Sequence, residues 1–131
     1  MRILIAEDDP ASAKYMQGLL SRIGECTVAM DGQEAVDAFA ASLDAGAPFD
    51  LVCLDIMMPR MDGQEALERL RALESERGVK PSREVKVIMT TALGDVRSVM
   101  GAYKQGATAY VTKPIDPQKL LETIRALGLG G

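Results

Sequence analysis

The sequence has 131 residues, with fifteen Lys and Arg against nineteen Asp and Glu, so its formal net charge is −4. An acidic chain of this length suits one domain with its own apolar core, and it argues against nucleic-acid binding, which depends on clustered basic side chains. The amino terminus becomes acidic at Glu7, too early for a secretory signal, and no apolar run reaches membrane-spanning length. We therefore expect a cytoplasmic protein with no membrane insertion and no direct nucleic-acid contact.

Two residue types exclude further classes of site. Histidine is absent, which rules out a histidine metal ligand, general base or phosphoryl carrier. The cysteines, Cys26 and Cys53, both lie within strand-like runs, and two thiols make neither a disulfide framework nor a zinc site. We predict that both are reduced core residues.

Apolar runs alternate with segments of helical periodicity along the whole chain. Five short runs rich in Ile, Val and Leu are mostly apolar on both faces, which is typical of strands covered by helices on two sides. These predicted strands are Arg2–Ala6, Cys26–Met30, Asp50–Leu54, Val85–Thr91 and Thr108–Thr112. Each strand is followed by apolar residues at helical spacing. The five stripes are Met16, Leu19, Leu20 and Ile23; Val36, Phe39, Ala40 and Leu43; Leu67, Leu70 and Leu73; Val96, Val99, Met100 and Tyr103; and Leu120, Leu121, Ile124 and Leu127.

Five consecutive strand–helix units predict an α/β fold with a parallel five-stranded sheet and right-handed crossovers. Two longer polar connections, residues 44–48 and 75–84, lead from a helix into a strand. We expect them to be solvated spacers at the end of the sheet opposite the carboxyl ends of the strands. Neither has the character of a linker, so residues 1–131 are expected to form a single domain without an output domain.

The predicted helix starts carry capping chemistry. Asp9 and Asp116 each precede a proline, which is typical of an N-cap followed by the first helical position. The hexapeptide MDGQEA occurs at Met30–Ala35 and again at Met61–Ala66, and in both copies an Asp stands three residues before a Glu. This is capping-box spacing with Asp in place of Ser or Thr. We interpret the repeat as one helix-start solution used twice, with Asp62 as the second cap.

Acidic side chains follow the predicted strands at the points where the strands end. The first strand runs into Glu7-Asp8-Asp9 and the third into Asp55. The fourth ends at Thr90-Thr91-Ala92, and the fifth runs into Lys113-Pro114. In an open parallel sheet, ligands bind beyond the carboxyl ends of the strands. If the first and third strands are neighbours, the acids share one small volume beside a hydroxyl and an ammonium group.

Three carboxylates in one volume repel one another, so at least one pKa is expected to rise unless a cation is present. Mg²⁺ suits a site with few protein oxygens plus waters and a phosphate, and Mn²⁺ is an alternative ion. With the metal bound, Asp55 can attack phosphorus and form an aspartyl-phosphate. Phosphoryl transfer requires in-line positioning and cations around the equatorial oxygens. The metal, Lys113 and Thr91 can supply these conditions.

Taken in order, these motifs resemble the receiver domain of response regulators in two-component signalling, and over its whole length the chain resembles the single-domain, chemotaxis-type members. The matching residues are Glu7-Asp8, Asp55, Pro59 and Gly63 in the following loop, Thr91-Ala92, Tyr110 and Lys113-Pro114. The resemblance implies a flavodoxin-like (βα)5 three-layer sandwich with strand order 2-1-3-4-5. In that order Cys26 and Cys53 lie on strands that are not adjacent.

The resemblance also implies roles for the clustered residues. Asp55 is then the phosphorylation site, and Lys113 pairs with the phosphoryl group. Asp8, Asp55 and the backbone carbonyl of Met57 are then the Mg²⁺ ligands, with Glu7 acting through water. A plainer alternative for Asp55 is a cap of the turn after its strand, and for Lys113 an ordinary surface position.

The remaining implied roles concern switching and output. Thr91 donates its hydroxyl to the phosphoryl group, the rotamer of Tyr110 follows Thr91, and the peptide bond between Lys113 and Pro114 is cis, a form that X-Pro bonds adopt at small cost. Output is then read on the face of the fourth helix, fifth strand and fifth helix by a separate protein target. The donor is a histidine kinase, a phosphotransfer protein or a small phosphodonor, and the protein catalyses only its own phosphorylation and dephosphorylation.

Two further positions bear on the lifetime of the phosphoryl group. In the family, the residues two after the acceptor and two after the threonine flank the hydrolytic water; here they are Met57 and Leu93. Two apolar side chains position water poorly, so we predict a long-lived phosphoryl group. We interpret Met57 and Met58 as loop packing rather than as anything specific. A plainer reading of Tyr110 is a half-buried strand aromatic, and Thr90 is interpreted as β-branched filling beside Thr91.

Other function classes stay open on the sequence. An aspartate-nucleophile phosphatase usually needs a second Asp two residues after the nucleophile, where this chain has Met57. A flavin module would meet an acidic loop after the first strand, which repels phosphate. An interaction module of the same fold that is never phosphorylated typically lacks one of the acids or the lysine, and this chain has them all.

Overall fold

The computed structural model describes residues 1–92 and 106–129. The five strands lie where the periodicity predicts them, and each end agrees with its prediction to within one residue. The strands are β1 (Arg2–Ala6), β2 (Glu25–Ala29), β3 (Leu51–Asp55), β4 (Lys86–Ala92) and β5 (Ala109–Lys113). The helices are α1 (Pro10–Leu20), α2 (Gly32–Asp44), α3 (Gly63–Glu76) and a C-terminal helix (Pro117–Ala126), with a 3-10 turn at Pro81–Arg83. Leu93 and the predicted fourth stripe, Val96 to Tyr103, lie outside the described residues.

All five strands are parallel, and the sheet order is β2-β1-β3-β4-β5. This confirms the predicted α/β fold and strand order. The order places β1 and β3 side by side in the centre, with Ala6 opposite Leu54. Parallel strands end at the same edge, so the residues that follow β1 and β3 emerge together.

Side chains of alternate residues leave the sheet on opposite faces and enter two separate cores. On β1, Leu4 and Ala6 pack with residues of α2 and α3, whereas Ile3 and Ile5 pack with residues of α1 and the C-terminal helix. The sheet is thus the middle layer of a three-layer sandwich. β3 is buried along its whole length, because helices cover both of its faces.

Four aspartates cap the helices as the sequence predicts. The Asp9 carboxylate accepts from the Ser12 amide, Asp31 from Glu34, Asp62 from Glu65, and Asp116 from Gln118. A side-chain cap of this type stabilises a helix by about 1 kcal/mol. The interpretation of both MDGQEA copies as helix starts is therefore confirmed.

The two cysteines are free. β1 lies between the strands that carry them, which separates Cys26 on β2 from Cys53 on β3. Burial raises the pKa of Cys53 to about 12, with a smaller contribution from Cys26, so the Cys53 thiol stays protonated at neutral pH.

A buried polar network ties α3 to the starts of β4 and β5. The Glu74 side chain is 3% exposed; its Oε1 accepts from Arg71 Nη1 at 2.7 Å and its Oε2 from the Val85 amide at 2.7 Å. Arg71 also donates to the Gly106 carbonyl at 2.7 Å.

The two polar connections, 44–48 and 75–84, are largely exposed, as predicted, although the second contains the 3-10 turn. Within the described ranges, no helix is both long and apolar enough to cross a bilayer.

Candidate functional site

Three carboxylates meet at the carboxyl edge of the sheet. Glu7 and Asp8 directly follow β1, and Asp55 is the last residue of β3. One oxygen from each side chain lies within 4.8 Å of the others. Glu7 and Asp55 are 4% and 5% exposed, whereas Asp8 faces solvent. The register of β1 and β3 thus produces the acidic cluster that the strand ends predict.

Lys113, the last residue of β5, reaches across the sheet edge into this cluster. Its Nζ donates to Glu7 Oε2 at 2.8 Å and to Asp55 Oδ2 at 3.1 Å. The lysine side chain is 30% exposed, so the ammonium group sits at the mouth of the site. The alternative of an ordinary surface lysine is wrong for this residue, because two buried carboxylates hold it.

Burial and charge act in opposite directions on the cluster. Burial raises the pKa of Glu7; the hydrogen bond from Lys113 opposes this rise, and the Asp55 carboxylate adds to it. Burial lowers the pKa of Lys113, but its hydrogen bonds to Glu7 and Asp55 outweigh burial, so its pKa lies above the usual value. Lys113 is therefore a fixed cation at neutral pH.

The donor set fits a divalent cation with oxygen ligands. Three carboxyl groups converge beside one ammonium group, so the cluster offers more acidic oxygen ligands than Lys113 alone can pair with. Because Asp8 is exposed, the cluster is open to solvent on that side and can also accommodate the waters that Mg²⁺ retains. The described residues of the cluster include neither a thiolate nor an imidazole, so the cluster lacks the ligands that softer metals prefer.

Residues 56–62, which we call the β3–α3 loop, carry Met57 past the cluster. The Met57 amide donates to Asp55 Oδ1 at 3.2 Å, so Asp55 caps the turn after its strand, as its plainer reading has it, while its role as phosphorylation site stays a prediction. The Ile56 amide donates to the Thr90 carbonyl at 3.0 Å, and the Gly63 amide donates to the Ile56 carbonyl at 2.8 Å. These bonds fix the two ends of the loop.

The side chain of Met57 is 69% exposed beside the acceptor carboxylate. Loop packing, the interpretation for Met57 and Met58, is therefore wrong for the Met57 side chain, whereas Met58 packs against the core. A thioether offers only a weak acceptor to water. The Met57 side chain therefore offers water no strong hydrogen-bonding group beside Asp55.

Thr91 and Tyr110 lie on adjacent strands and on the same face of the sheet. Thr91 is opposite Thr112 and Tyr110 is opposite Met89, which makes Thr91 and Tyr110 diagonal neighbours. Thr91 is 2% exposed and Tyr110 is 42% exposed. The Thr91 hydroxyl donates to the Ala92 carbonyl at 3.4 Å, a long hydrogen bond. The switch role of this pair stays a prediction.

The peptide bond between Lys113 and Pro114 is cis, as the resemblance implies.

A cavity of about 400 Å³ lies next to Glu7 and Lys113, between α1 and the start of the C-terminal helix. It is lined by Ser12, Tyr15 and Ile115, among others. Its wall is mostly apolar.

The model of the family described as "Response regulator receiver domain" matches residues 3–125. The chain belongs to this family. It is thus a receiver domain of two-component signalling with a CheY-like fold, and its acidic cluster lies at the sheet edge where the family resemblance implies a Mg²⁺ site.

Sequence and structural relatives agree with this assignment. The chain is 36% identical over 127 residues to the DNA-binding dual master transcriptional regulator RpaA of Synechocystis, and the match covers 96% of this chain and 48% of that protein. It is similar to a putative response regulator of Chloroflexus aurantiacus (TM-score 0.79, 26% identity, 96% and 95% of the two chains). It is also similar to a chain in the CheX–CheY–BeF3–Mg²⁺ complex of Borrelia burgdorferi (TM-score 0.82, 27% identity, 98% and 90%). The receiver spans about half the length of the curated regulators it matches.

One pair beside the site was missed by sequence reasoning. The guanidinium of Arg60, in the β3–α3 loop, donates to the carboxylate of Asp31, the cap of α2. The only sequence signal was the position of these residues at the two MDGQEA copies. It could not reveal the pair, because 29 positions separate the two side chains.

Proposed function

We propose that this receiver is a phosphoacceptor switch in which Asp55 takes a phosphoryl group in a Mg²⁺-dependent step. The observation that carries the proposal is the convergence of Glu7, Asp8 and Asp55 on one small volume that also holds the Lys113 ammonium group. A buried carboxylate at the end of a rigid strand is a nucleophile with a fixed position. The lysine beside it offers charge to an incoming phosphoryl group.

In the proposed step, an Asp55 carboxylate oxygen attacks phosphorus in line with the leaving atom of the donor. The new bond is carboxylate oxygen to phosphorus, and the bond from phosphorus to the donor nitrogen, or to the donor oxygen of a small phosphodonor, breaks. Lys113 then exchanges its contact with Asp55 Oδ2 for an equatorial phosphoryl oxygen. The Thr91 hydroxyl donates to a second one.

Asp8, Asp55 and the carbonyl of Met57 are the proposed Mg²⁺ ligands, and Glu7 acts through a bound water. When bound, the ion supplies positive charge to the equatorial oxygens in the transition state. Backbone amides orient the carboxylates: the Asp9 amide donates to Glu7 Oε1 at 3.2 Å, and the Met57 amide donates to Asp55 Oδ1. These bonds leave further carboxylate lone pairs free to coordinate.

The proposed output is a change in affinity for a separate protein target. A phosphoryl group shifts a two-state equilibrium only by the difference in its interactions with the two states. Thr91 and Tyr110 are the proposed coupling pair because they are diagonal neighbours on one face. The readout face combines the fourth predicted helix, which lies outside the described residues, with β5 and the C-terminal helix.

We further propose that the donor is a histidine kinase or a phosphotransfer protein, with small phosphodonors as substitutes. A receiver segment within the sensor histidine kinase GacS of Pseudomonas protegens is 33% identical to this chain, which supports a place in such a relay. Beyond its own phosphorylation and dephosphorylation we propose no enzymatic activity. Two free cysteines support a reducing compartment, and we therefore propose a cytoplasmic location.

Two rival functions are less well supported. An aspartate-nucleophile phosphatase lacks its general acid here, because position 57 is an exposed methionine. An interaction module that is never phosphorylated has no need for a lysine held between two buried carboxylates. The intact set of Glu7, Asp8, Asp55 and Lys113 favours the phosphoacceptor.

The proposal is tested by incubating the protein with acetyl phosphate and Mg²⁺ and measuring its intact mass. We expect a gain of one phosphoryl group in the wild type and none in Asp55→Asn. Removal of the metal with a chelator is expected to abolish the gain. Absence of any gain in the wild type would favour the interaction module.

A further inference from the structure

The two MDGQEA copies pack against each other beside the phosphorylation site. A Cβ atom built on Gly32, in the first copy, would lie 2.3 Å from the carbonyl oxygen of Met61, in the second. Only a glycine permits so close an approach, and Met61 itself is buried. The amino terminus of α2 therefore contacts the β3–α3 loop at backbone distance.

Arg60, directly before the second copy, has a strained backbone. Its φ is +64°, and the Met61 amide donates to the Pro59 carbonyl at 2.7 Å, which closes a three-residue turn around Arg60. A γ-turn with positive φ is rare and strained. Such a conformation persists only where the surrounding structure holds it, and strained residues cluster at functional sites.

Asp31 provides such a hold. Its side chain is 1% exposed, although it carries a charge. Oδ1 accepts from the Glu34 amide at 2.8 Å, and Oδ2 accepts from the Arg60 guanidinium. The carboxylate thus fixes the start of α2 with one oxygen and the strained turn with the other.

The consequence concerns Met57, three residues before Arg60. Hydrogen bonds at Ile56 and Gly63 tie down the two ends of the loop, and Met58 packs against the core. Beyond Met58 the loop is held by the turn at Arg60 and by the contact of Met61 with Gly32. Pro59, with its fixed φ, transmits the orientation of the turn toward Met57. The position of the Met57 carbonyl therefore depends on what holds Arg60.

We propose that Asp31 is a positioning residue for the phosphorylation site: through its ion pair with Arg60 it holds the β3–α3 loop in the form in which the Met57 carbonyl completes the Mg²⁺ site. This inference rests on the proposed function, since it assigns a support to the same site. By reciprocity, a bound ion then also steadies the amino terminus of α2.

Two variants separate this role from simple stabilisation of the fold. Asp31→Asn keeps a good capping side chain for α2 but removes the charge that holds Arg60. Arg60→Gly removes the guanidinium and also relieves the strain at positive φ, so it is expected to keep or raise the melting temperature. A merely structural pair would lower stability in both variants and leave metal affinity unchanged.

The controls remove side-chain charges of the same sign elsewhere. Asp62→Asn alters the equivalent cap in the second copy. There Asp62 Oδ1 accepts from the Glu65 amide at 2.9 Å, and Asp62 forms no ion pair with any described residue. Arg77→Gln removes an arginine that pairs with Asp44 at 2.8 Å, on the connections at the opposite end of the sheet.

The experiment titrates magnesium chloride into each variant of the 131-residue chain by calorimetry, and hydrogen exchange of residues 56–62 is measured in metal-free buffer. Loss of a support behind a ligand typically lowers affinity tenfold or more, and for this more distant pair we expect a rise in the Mg²⁺ dissociation constant of about three- to tenfold. Both test variants should also exchange faster at Met57 and Met58. Both controls should stay within about twofold of the wild type.

The outcomes distinguish the inference from the proposed function. If the wild type binds Mg²⁺ and both test variants bind it equally tightly, the inference is overturned and the proposed function stands. If the wild type binds no Mg²⁺, the proposed function fails, and with it the positioning role. If only Asp31→Asn weakens binding and does so no more than Asp62→Asn, the effect is one of net charge and the inference is overturned.

Discussion

Gly63 lies so close to Asp55 that a Cβ atom at position 63 would stand 2.2 Å from the Asp55 carbonyl oxygen. The same atom would lie 2.8 Å from the Cα of Ile56, so backbone surrounds it. α3 therefore begins directly against the end of the strand that carries the acceptor. This contact sets both the helix start and the direction in which the β3–α3 loop leaves β3.

The first prediction follows from that contact. Gly63→Ala forces backbone to move at the acceptor, and overpacking of this kind is expected to lower the free energy of unfolding by about 2 kcal/mol. It should also slow phosphorylation by acetyl phosphate. Urea unfolding followed by circular dichroism measures the first effect. Gly18→Ala, in the last turn of α1 with nothing within 4 Å, is the control and should stabilise the protein by up to about 0.5–1 kcal/mol.

Equal destabilisation by the two alanine substitutions would contradict the close contact at Gly63.

The second prediction concerns pH. The pKa of Glu7 is raised above its ordinary 4.5 in the folded protein, chiefly by burial. The folded state therefore binds this proton more tightly than the unfolded state, so stability is lost as the pH rises from 4.5 through the raised pKa. In metal-free buffer, Glu7→Gln should gain stability relative to the wild type over that range.

Thermal unfolding of both proteins between pH 4 and pH 8 measures the difference. Added Mg²⁺ should abolish the advantage of Glu7→Gln, because a cation stabilises the ionised cluster of the wild type. A difference that does not vary with pH would show that burial and repulsion at Glu7 are unimportant.

The third prediction concerns the polar network beneath β4. Glu74 accepts from the charged Arg71 and from the Val85 amide, so Glu74→Gln leaves the largely buried guanidinium with only Glu84, at 4.0 Å, as a counter-charge. We expect a loss of about 2 kcal/mol in the free energy of unfolding. Glu76→Gln, two residues on and 69% exposed, should change stability by less than about 0.5 kcal/mol. Similar values for the two variants would be evidence against a structural role of the network.

The fourth prediction concerns the lifetime of the phosphoryl group. Met57 is exposed beside Asp55 and orients water poorly. Met57→Asn introduces an amide that can hold a water near phosphorus, so the phosphoryl group should be lost several-fold faster. Leu93→Glu introduces a polar group at the second flanking position and should also speed the loss. Intact mass after removal of the donor gives the decay rate. Met57→Leu is the control and should decay like the wild type; an unchanged rate in Met57→Asn would count against the prediction.

The fold and the centre of the site could be predicted because their signals are local. An apolar run that ends in Asp55, acids directly after β1 and a lysine before Pro114 each mark the end of a strand, and parallel strands bring their ends together. The caps at Asp9, Asp31, Asp62 and Asp116 are equally local, since each side chain bonds a backbone amide two or three residues away.

The missed features depend on contacts between distant positions. Glu74 has the residue type and helical setting of a solvated charge paired with Arg71 three positions before it, and the contact with Val85, eleven positions on, is the one that the helical pattern does not show. Arg60 likewise reads as a surface loop residue, and its side chain is indeed 73% exposed. Its partner Asp31 was visible only as a cap, because a capping pattern does not show what the second carboxylate oxygen binds.

The most direct test of the account is an NMR titration of the wild type with beryllofluoride, which adds to an aspartate carboxylate as a stable analogue of the phosphoryl group. With Mg²⁺ present, we predict large shifts at Met57, Thr91, Tyr110 and Lys113, and no response in Asp55→Asn. A wild-type spectrum that stays unchanged with beryllofluoride and Mg²⁺ would contradict the claim that Asp55 is a metal-dependent phosphoacceptor.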